Sequence, residues 1–568
     1  MRRGSLLLIV ATSATLLIGA GTAAARPVGF HADATYFNNA AFAAADPYVM
    51  RDPRSGFYYA YSTEGADDGY YFAVYRSADL VTWEKAAPGA LPVNDPNQWG
   101  NTWFWAPETY YNPRTHLYFL FYAARSDANA QAWFGYANFE EPCKIGVAVS
   151  RSPAGPFHNI ANHPIDYNPY DPSYHDVNLI MGPDQKKPPA TLQQGETAPL
   201  GTYIPMIDPD VFFDSSGHVY LYYSRNAYRN WVWDYDLGKY IEESNIYAVG
   251  LTKDWWNDPT GRTMPTIAPQ YRGTNAGPGG PAGPRRDGWV RILDYDHDKQ
   301  SWENADVNDY ALTGGQNKDR RWEEGSSILE THFNGRTRYY LTYSANNWQT
   351  PQYGVGYAVS STPLGPFHKS PTNPIFRANP AIGEWSPGHG SFAFSPDGAQ
   401  LYYVHHGRPS PDDSQRRLYT DRLQFSLSQL DPWGNPELYA DEATSDRPVP
   451  SGVAPYRISA SRAVMSLRPG STRTVSFRVL SADGVPLALG NPLNRLRVRS
   501  SDSRVATASL DANGATVTVT GYSRGHAGLI VVYQRLLADG MYKDVHQGRP
   551  HVETVSLRLQ IRVARRSP

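Results

Sequence analysis

A hairpin-shaped segment recurs five times along this chain, and repetition of that kind leaves few folds open. The copies are ADPYVMRDPRSGFYYAYSTE from Ala45, WAPETYYNPRTHLYFLFYAAR from Trp105, MIDPDVFFDSSGHVYLYYSRN from Met206, EEGSSILETHFNGRTRYYLTYSAN from Glu323 and GHGSFAFSPDGAQLYYVHHGR from Gly388. Each opens on small or charged residues and runs into a short apolar strand. Each then turns at Asn, Asp or Gly and returns as an aromatic strand of the YYLxY kind, which is hairpin chemistry. A second repeat supports the first: GVAVSRSPAGPFHNIANHPI from Gly146 matches GYAVSSTPLGPFHKSPTNPI from Gly356. Repeated strand units without helical periodicity between them predict an all-β chain built on a five-bladed β-propeller over residues 26–441, rather than an ordinary β-sandwich.

The blades are expected to begin near Asp46, Trp103, Tyr203, Arg321 and Glu384. Two insertions interrupt them, at 164–200 and 256–317. The second contains GTNAGPGGPAGPRRDG, which cannot be the interior of a strand or helix. A polar, Pro-rich linker at 442–456 ends the propeller. Beyond it, residues 457–568 alternate apolar and polar positions in short runs, which predicts a small β-sandwich. At the other end, Arg2 and Arg3 precede the apolar stretch Leu6 to Ile18 and the small residues Ala23-Ala24-Ala25. Residues 1–25 therefore read as a secretory signal peptide. The expected product is secreted and extracellular, held to no membrane after signal removal, and monomeric. The one cysteine, Cys143, allows no intrachain disulfide, and a net charge of −2 gives no pull toward nucleic acid.

In a propeller the innermost strand of each blade starts near the central channel, so the five hairpin openings converge there. They carry Asp46, Trp105 and Glu108, Asp208 and Asp210, Glu323 and Glu324, and His389. Crowded carboxyls do not titrate alike. One beside like charges or apolar walls keeps its proton, while another held by hydrogen bonds stays ionised. That division of labour cleaves a glycosidic bond: an acid protonates the leaving oxygen and a base activates water on the other face of the ring. A separation of roughly 6.5–9.5 Å between them gives inversion.

At these residues the chain resembles glycoside hydrolase family 43. The matching pieces are Ala45-Asp46-Pro47, Trp105-Ala106-Pro107-Glu108, Ile207-Asp208-Pro209, Glu324-Gly325, SPAGPF from Ser152 with TPLGPF from Thr362, and Gly388-His389 with His405-His406-Gly407-Arg408. The resemblance covers about residues 40–440. It implies that Asp46 is the general base and that Asp208 tunes and orients the acid. The acid itself is implied to be Glu324, with Glu323 beside it as the other candidate; strand alternation sends the two to opposite sides. Glu108 is grouped with the substrate-binding residues. The resemblance further implies Trp105 stacking on sugar, Arg408 touching substrate, and His389 lining the channel floor, where some members hold a calcium ion through water. No cofactor is expected for the chemistry itself.

The expected activity is inverting hydrolysis of furanosyl or xylosyl linkages in a polysaccharide or oligosaccharide, of the α-L-arabinofuranosidase, arabinanase or β-xylosidase type. The rival readings are a retaining propeller glycosidase of fructosidase type and a non-catalytic carbohydrate-binding propeller. LRPGSTRTVSFRVLSADG from Leu467, and the stretch from Arg499 to Val532, resemble bacterial Ig-like domains, which implies a spacer or adhesive module at the C-terminus.

Overall fold

In a computed structural model, residues 42–440 and 456–564 are described, apart from 81, 126–142, 166–205, 235, 270–289, 294–297, 318, 381–382, 396–397, 399–400, 482–485, 487–488, 491–493 and 536–555. The signal segment, the first insertion beyond residue 165, the Gly/Pro-rich core of the second insertion and most of the linker lie outside the described residues. No helix among the described residues is long and apolar enough to cross a membrane.

Five antiparallel blades follow one another. Blade I is Tyr48–Arg51, Tyr58–Ser62, Ala73–Ser77 and Trp83–Ala87; blade II is Thr102–Asn112, Leu117–Arg125, Cys143–Ser150 and His158–Asn159. Blade III is Ile207–Phe213, Val219–Asp234 and Lys239–Leu251, with Val290–Arg291 as its outer strand. That outer strand comes from within the second insertion. Blade IV is Arg320–Phe333, Arg336–Ala345, Gly354–Ser360 and His368–Lys369; blade V is Trp385–Phe394, Leu401–Arg408, Arg417–Leu430 and Pro436–Ala440. Turn chemistry sets the hairpin registers. In blade IV, Asn334 and Gly335 both have positive φ (48° and 74°) between the paired residues Phe333 and Arg336. This is the two-residue turn whose twist suits a hairpin.

The second strand of each blade is buried on both faces, and its alternation hands successive side chains to different neighbours. Phe119 and Phe121 join a core with Leu221 and Tyr223 between blades II and III, whereas Tyr118, Leu120 and Tyr122 face blade I. Tyr220 and Tyr222 pack with Tyr339 and Leu341 between blades III and IV; Tyr340 packs with Leu401 and Tyr403 between IV and V. The fifth core joins Tyr402 and Val404 of blade V to Val49 and Tyr58 of blade I. Thus five cores lie at five blade interfaces, and the last closes the ring. Hydrogen bonds close it too: Ala44 N–H donates to Arg416 O at 2.9 Å.

The repeated motifs stitch these interfaces. Tyr61 OH of blade I donates to Pro153 O at 2.5 Å, Tyr222 OH of blade III donates to Pro363 O, and Tyr340 OH of blade IV donates to Pro436 O at 2.7 Å. Pro153 and Pro363 occupy the same place in SPAGPF and TPLGPF. A buried tyrosine needs a partner for its hydroxyl, and the neighbouring blade's outer turn supplies it.

Two features were not legible beforehand. The hairpin of blade III extends past the blade on the side where the inner strands begin. Its third strand then runs parallel to the start of blade IV, with Glu242 opposite Arg320 and Ser244 opposite Trp322. The second insertion also folds back onto blade IV. Glu303, at the end of the short turn Ser301–Glu303, accepts from Lys369 Nζ at 2.9 and 3.0 Å, and Lys369 also bonds Glu323 at 2.5 Å. All three side chains are buried.

The C-terminal unit is a β-sandwich, as the alternation predicts. One sheet orders Tyr456–Ala460, Thr472–Ser481, Thr516–Gly521 and Ala506–Leu510; the other orders Val464–Leu467, Ser556–Val563, Gly525–Arg535 and Asn494–Ser500. Its core includes Val475, Phe477, Val517, Leu529, Val531 and Ile561.

Candidate active site

Each inner strand has left-handed backbone at an equivalent place where it enters its blade: Asp46 (φ 50°), Ala106 (48°), Asp208 (55°), Gly325 (60°) and His389 (44°), with Trp103 (54°) and Ser386 (49°) as further such residues in blades II and V. Four of the five equivalent residues are not glycine, and such a conformation costs roughly 1–2 kcal/mol for an L-residue. The pairing register slips at the same place in blades II, III, IV and V. The kink repeats with the blades and interrupts regular pairing at the mouth of the channel, where strain tends to mark function.

Asp46 is held from two sides. Its Oδ2 accepts from Thr63 Oγ1 at 2.7 Å, and Thr63 in turn accepts from Ala106 N–H at 2.8 Å. Its Oδ1 accepts from Arg416 Nη1 at 2.8 Å and lies 3.2 Å from His389 Nδ1 and 3.4 Å from His406 Nδ1. Burial alone would raise this carboxyl, but Arg416, His389 and His406 outweigh it and hold Asp46 well below the usual carboxylate range. His406 is also driven down, to about 3, chiefly by burial, and for an imidazole that means it stays neutral.

Asp208 Oδ2 accepts from Ser224 Oγ at 2.7 Å and from Gly325 N–H of blade IV at 3.1 Å. Burial, and then the charge of Asp46, push it up to about 7. Glu324 accepts from Trp322 Nε1 and Tyr353 OH, each at 2.7 Å. Burial, and then the charge of Asp208, push it up to about 7 as well. Carboxyls from blades I, III and IV thus stand close enough to displace one another's titration. Gly325 is required between them: a Cβ there would meet the His389 ring at 2.7 Å, and φ is positive.

The two glutamates of blade IV separate as alternation predicts. Glu324 bears on Asp208 and Asp46, whereas Glu323 is fully buried on Lys369. Glu108 lies two residues further along its strand than Ala106, at the level of Asp210. Tyr110 OH donates to Glu108 Oε2, and burial followed by the Asp210 charge raises Glu108 well above its ordinary value. Burial takes Asp210 up to about 8. These two form a second, deeper carboxyl layer that keeps at least one proton at neutral pH.

Trp105 is half-buried and stacks on Trp103 (4.9 Å, 18°), whose ring carries Arg125 at 4.5 Å. Arg408 departs from expectation. Its guanidinium donates to the carbonyls of Asp413, Gln349 and Pro411, so it fastens two loops, and the guanidinium beside the carboxyls is that of Arg416. Sequence reasoning missed Arg416, Thr63 and Tyr353, which stand outside the repeated openings. His389 spends Nδ1 on a carboxyl that already holds Arg416, and the described residues place no trio of metal-donor side chains around it. The residues present make no direct cage for calcium there.

Comparison with known proteins agrees with this geometry. A match to the family model "Glycosyl hydrolases family 43" covers residues 40–187 and 291–427, half of the chain. A beta-D-galactofuranosidase of Aspergillus niger is 38% identical over 90 residues, which is 16% of this chain and 26% of that protein. The match thus spans about a quarter of that relative's length. Similar solved structures include a thermostable family-43 glycoside hydrolase, 26% identical, covering 72% of this chain and 97% of that one at a TM-score of 0.46. An endo-1,4-beta-xylanase from Bacteroides thetaiotaomicron is 26% identical with the same coverages and a TM-score of 0.45. With the family model matched across blades I, II, IV and V, the chain belongs to glycosyl hydrolase family 43.

Proposed function

We propose that the protein is a secreted, inverting glycoside hydrolase of furanosyl or xylosyl linkages, with Asp46 as general base, Glu324 as general acid and Asp208 as the group that tunes the acid. The observation that carries this reading is the opposed titration of carboxyls in one channel. Asp46 is pinned in its ionised form by Arg416, while Glu324 is raised to about 7 by burial and by Asp208. In the reaction, Glu324 gives its proton to the leaving oxygen. Asp46 draws a proton from water as that water attacks the anomeric carbon from the opposite face. Asp208 is held by Ser224 and Gly325 N–H, and in its ionised form its charge keeps the proton on Glu324 until the bond begins to break. Trp105, half-buried and stacked on Trp103, supplies a flat apolar face for a sugar ring. The galactofuranosidase relative supports furanosyl substrates in particular. Its short overlap makes arabinofuranosyl and galactofuranosyl aryl glycosides the first compounds to try, with xylosyl ones beside them.

The test is turnover on that panel with the first product followed by anomer-resolved NMR. Inverted configuration is expected. Retained configuration would make Asp46 a nucleophile, with carboxyls only about 5–5.5 Å apart, and binding without any turnover would leave a carbohydrate-binding propeller.

A further inference from the structure

Blade V carries a second polar cluster on the face turned away from the channel. Along Leu401–Arg408 neighbouring side chains point to opposite sides. His406 reaches Asp46, and His405 points into the interface with blade IV, packed against Phe376 at 5.1 Å and Tyr419 at 6.0 Å between ring centroids. His405 is fully buried. Its Nδ1 lies 2.8 Å from His406 O, which can only accept, so Nδ1 carries the proton. Nε2 is then the end free to bind, and it faces Asp421 Oδ2 at 2.8 Å. Glu384 completes the group: one ligand atom from each of the three residues lies within 4.8 Å of the others, and all three are buried.

Glu384 is the anomaly. It is 1% exposed, and among the described residues neither carboxyl oxygen has a hydrogen-bond partner. Buried polar groups in folded proteins almost always have partners, and an unpaired buried carboxylate is costly. Glu384 sets a second carboxyl beside the one that faces His405 Nε2. A divalent cation would bridge both carboxyls and occupy the Glu384 oxygens, which have no hydrogen-bond partner among the described residues. His405 already has the arrangement of a metal-bound imidazole, in which the ring N–H not facing the metal donates to a backbone carbonyl. Gly407 keeps the space open: a Cβ there would press on the Tyr419 ring at 2.8 Å and stand 3.4 Å from Glu384 Oε1.

We infer that Glu384, His405 and Asp421 form a structural site for a divalent transition-metal ion between blades IV and V, separate from the channel. One imidazole nitrogen and two carboxylates suit zinc, whose ligands sit at about 2.0–2.2 Å. Calcium, which takes six to eight oxygens, suits the site poorly. Binding would tie the hairpin that carries His406 and Arg408 to the segment entering blade V.

The experiment uses the full chain, stripped with a chelator and dialysed against Zn²⁺, Mn²⁺ or Ca²⁺, with bound metal counted by mass spectrometry and thermal midpoint recorded. About one equivalent of Zn²⁺ per chain and a raised midpoint are expected, both lost in Glu384→Gln and both kept in His389→Ala, which alters only the channel. Uptake below about a tenth of an equivalent, or equal uptake by Glu384→Gln, overturns the site. If Glu384→Gln does not fold, Co²⁺ added to the wild type decides: a visible ligand-field spectrum abolished by Zn²⁺ supports the site, and no spectrum overturns it. Metal counting is independent of whether the channel cleaves sugar, so this inference and the proposed activity fail separately.

Discussion

Replacing Asp208 with Asn removes a negative charge beside Glu324 while sparing the local fold. Asn tolerates the positive φ found at this position, and its side-chain oxygen can still accept from Ser224 Oγ and Gly325 N–H. Glu324 stands at about 7 against an ordinary 4.5, with burial the largest cause and Asp208 the second. A like charge a few ångströms away displaces a carboxyl by about one pH unit or more, at ~1.4 kcal/mol per unit. The sign follows from the role proposed for Glu324: an acid works protonated, so activity falls as pH rises through its titration. Without the Asp208 charge the proton leaves at lower pH, and the basic limb of kcat/KM should move down by about one pH unit. In the wild type, ionising one member of the pair opposes ionising the other, so the singly protonated form occupies its own window. The acid limb of that window should vanish in the variant. The assay is kcat/KM on an aryl glycoside from about pH 4 to 9. A basic limb that stays put or moves upward would refute the coupling and leave Asp208 a structural residue.

Other outcomes follow from the same geometry. Glu324→Gln and Asp46→Asn should each lower kcat by about 10²–10⁴-fold with unchanged circular dichroism; wild-type turnover in either removes that residue from its role. Lys369→Met removes the buried cation held between Glu303 and Glu323 and should cost about 3–5 kcal/mol in urea unfolding. A change under about 1 kcal/mol would mean that the triad does not hold the second insertion to blade IV. Tyr222→Phe deletes the hydroxyl that donates to Pro363 O and should cost about 0.5–1.5 kcal/mol while sparing activity. No loss of stability would show that the peg between blades III and IV contributes nothing.

Much of the site was legible because repetition supplied a ruler. Asp46 and Asp208 occupy the same phase of two hairpins, and the chain places both at a left-handed residue beside the channel. Alternation alone separated Glu324 from Glu323, since consecutive strand residues face opposite sides. Arg416 was not legible. It lies outside the repeated openings, and reaches Asp46 from 370 residues away only because blade V closes against blade I. Arg408 shows the converse: it sits in a motif that suggested sugar contact, yet the carbonyls of residues 349, 411 and 413 claim its donors first. No local pattern reports which loop will arrive with unpaired carbonyls.

The amino-acid order by itself determined a ring of five strand units, the sandwich after it, and which carboxyls enter the channel, because these depend on period, turn chemistry and phase. Titration was left to the tertiary structure. Asp46 and Asp208 open their hairpins with the same Asp-Pro, yet one is held well below the carboxylate range and the other is raised to about 7. Burial raises both: at Asp46 the through-space arrival of Arg416, with His389 and His406, outweighs it, whereas at Asp208 the charge of Asp46 adds to it.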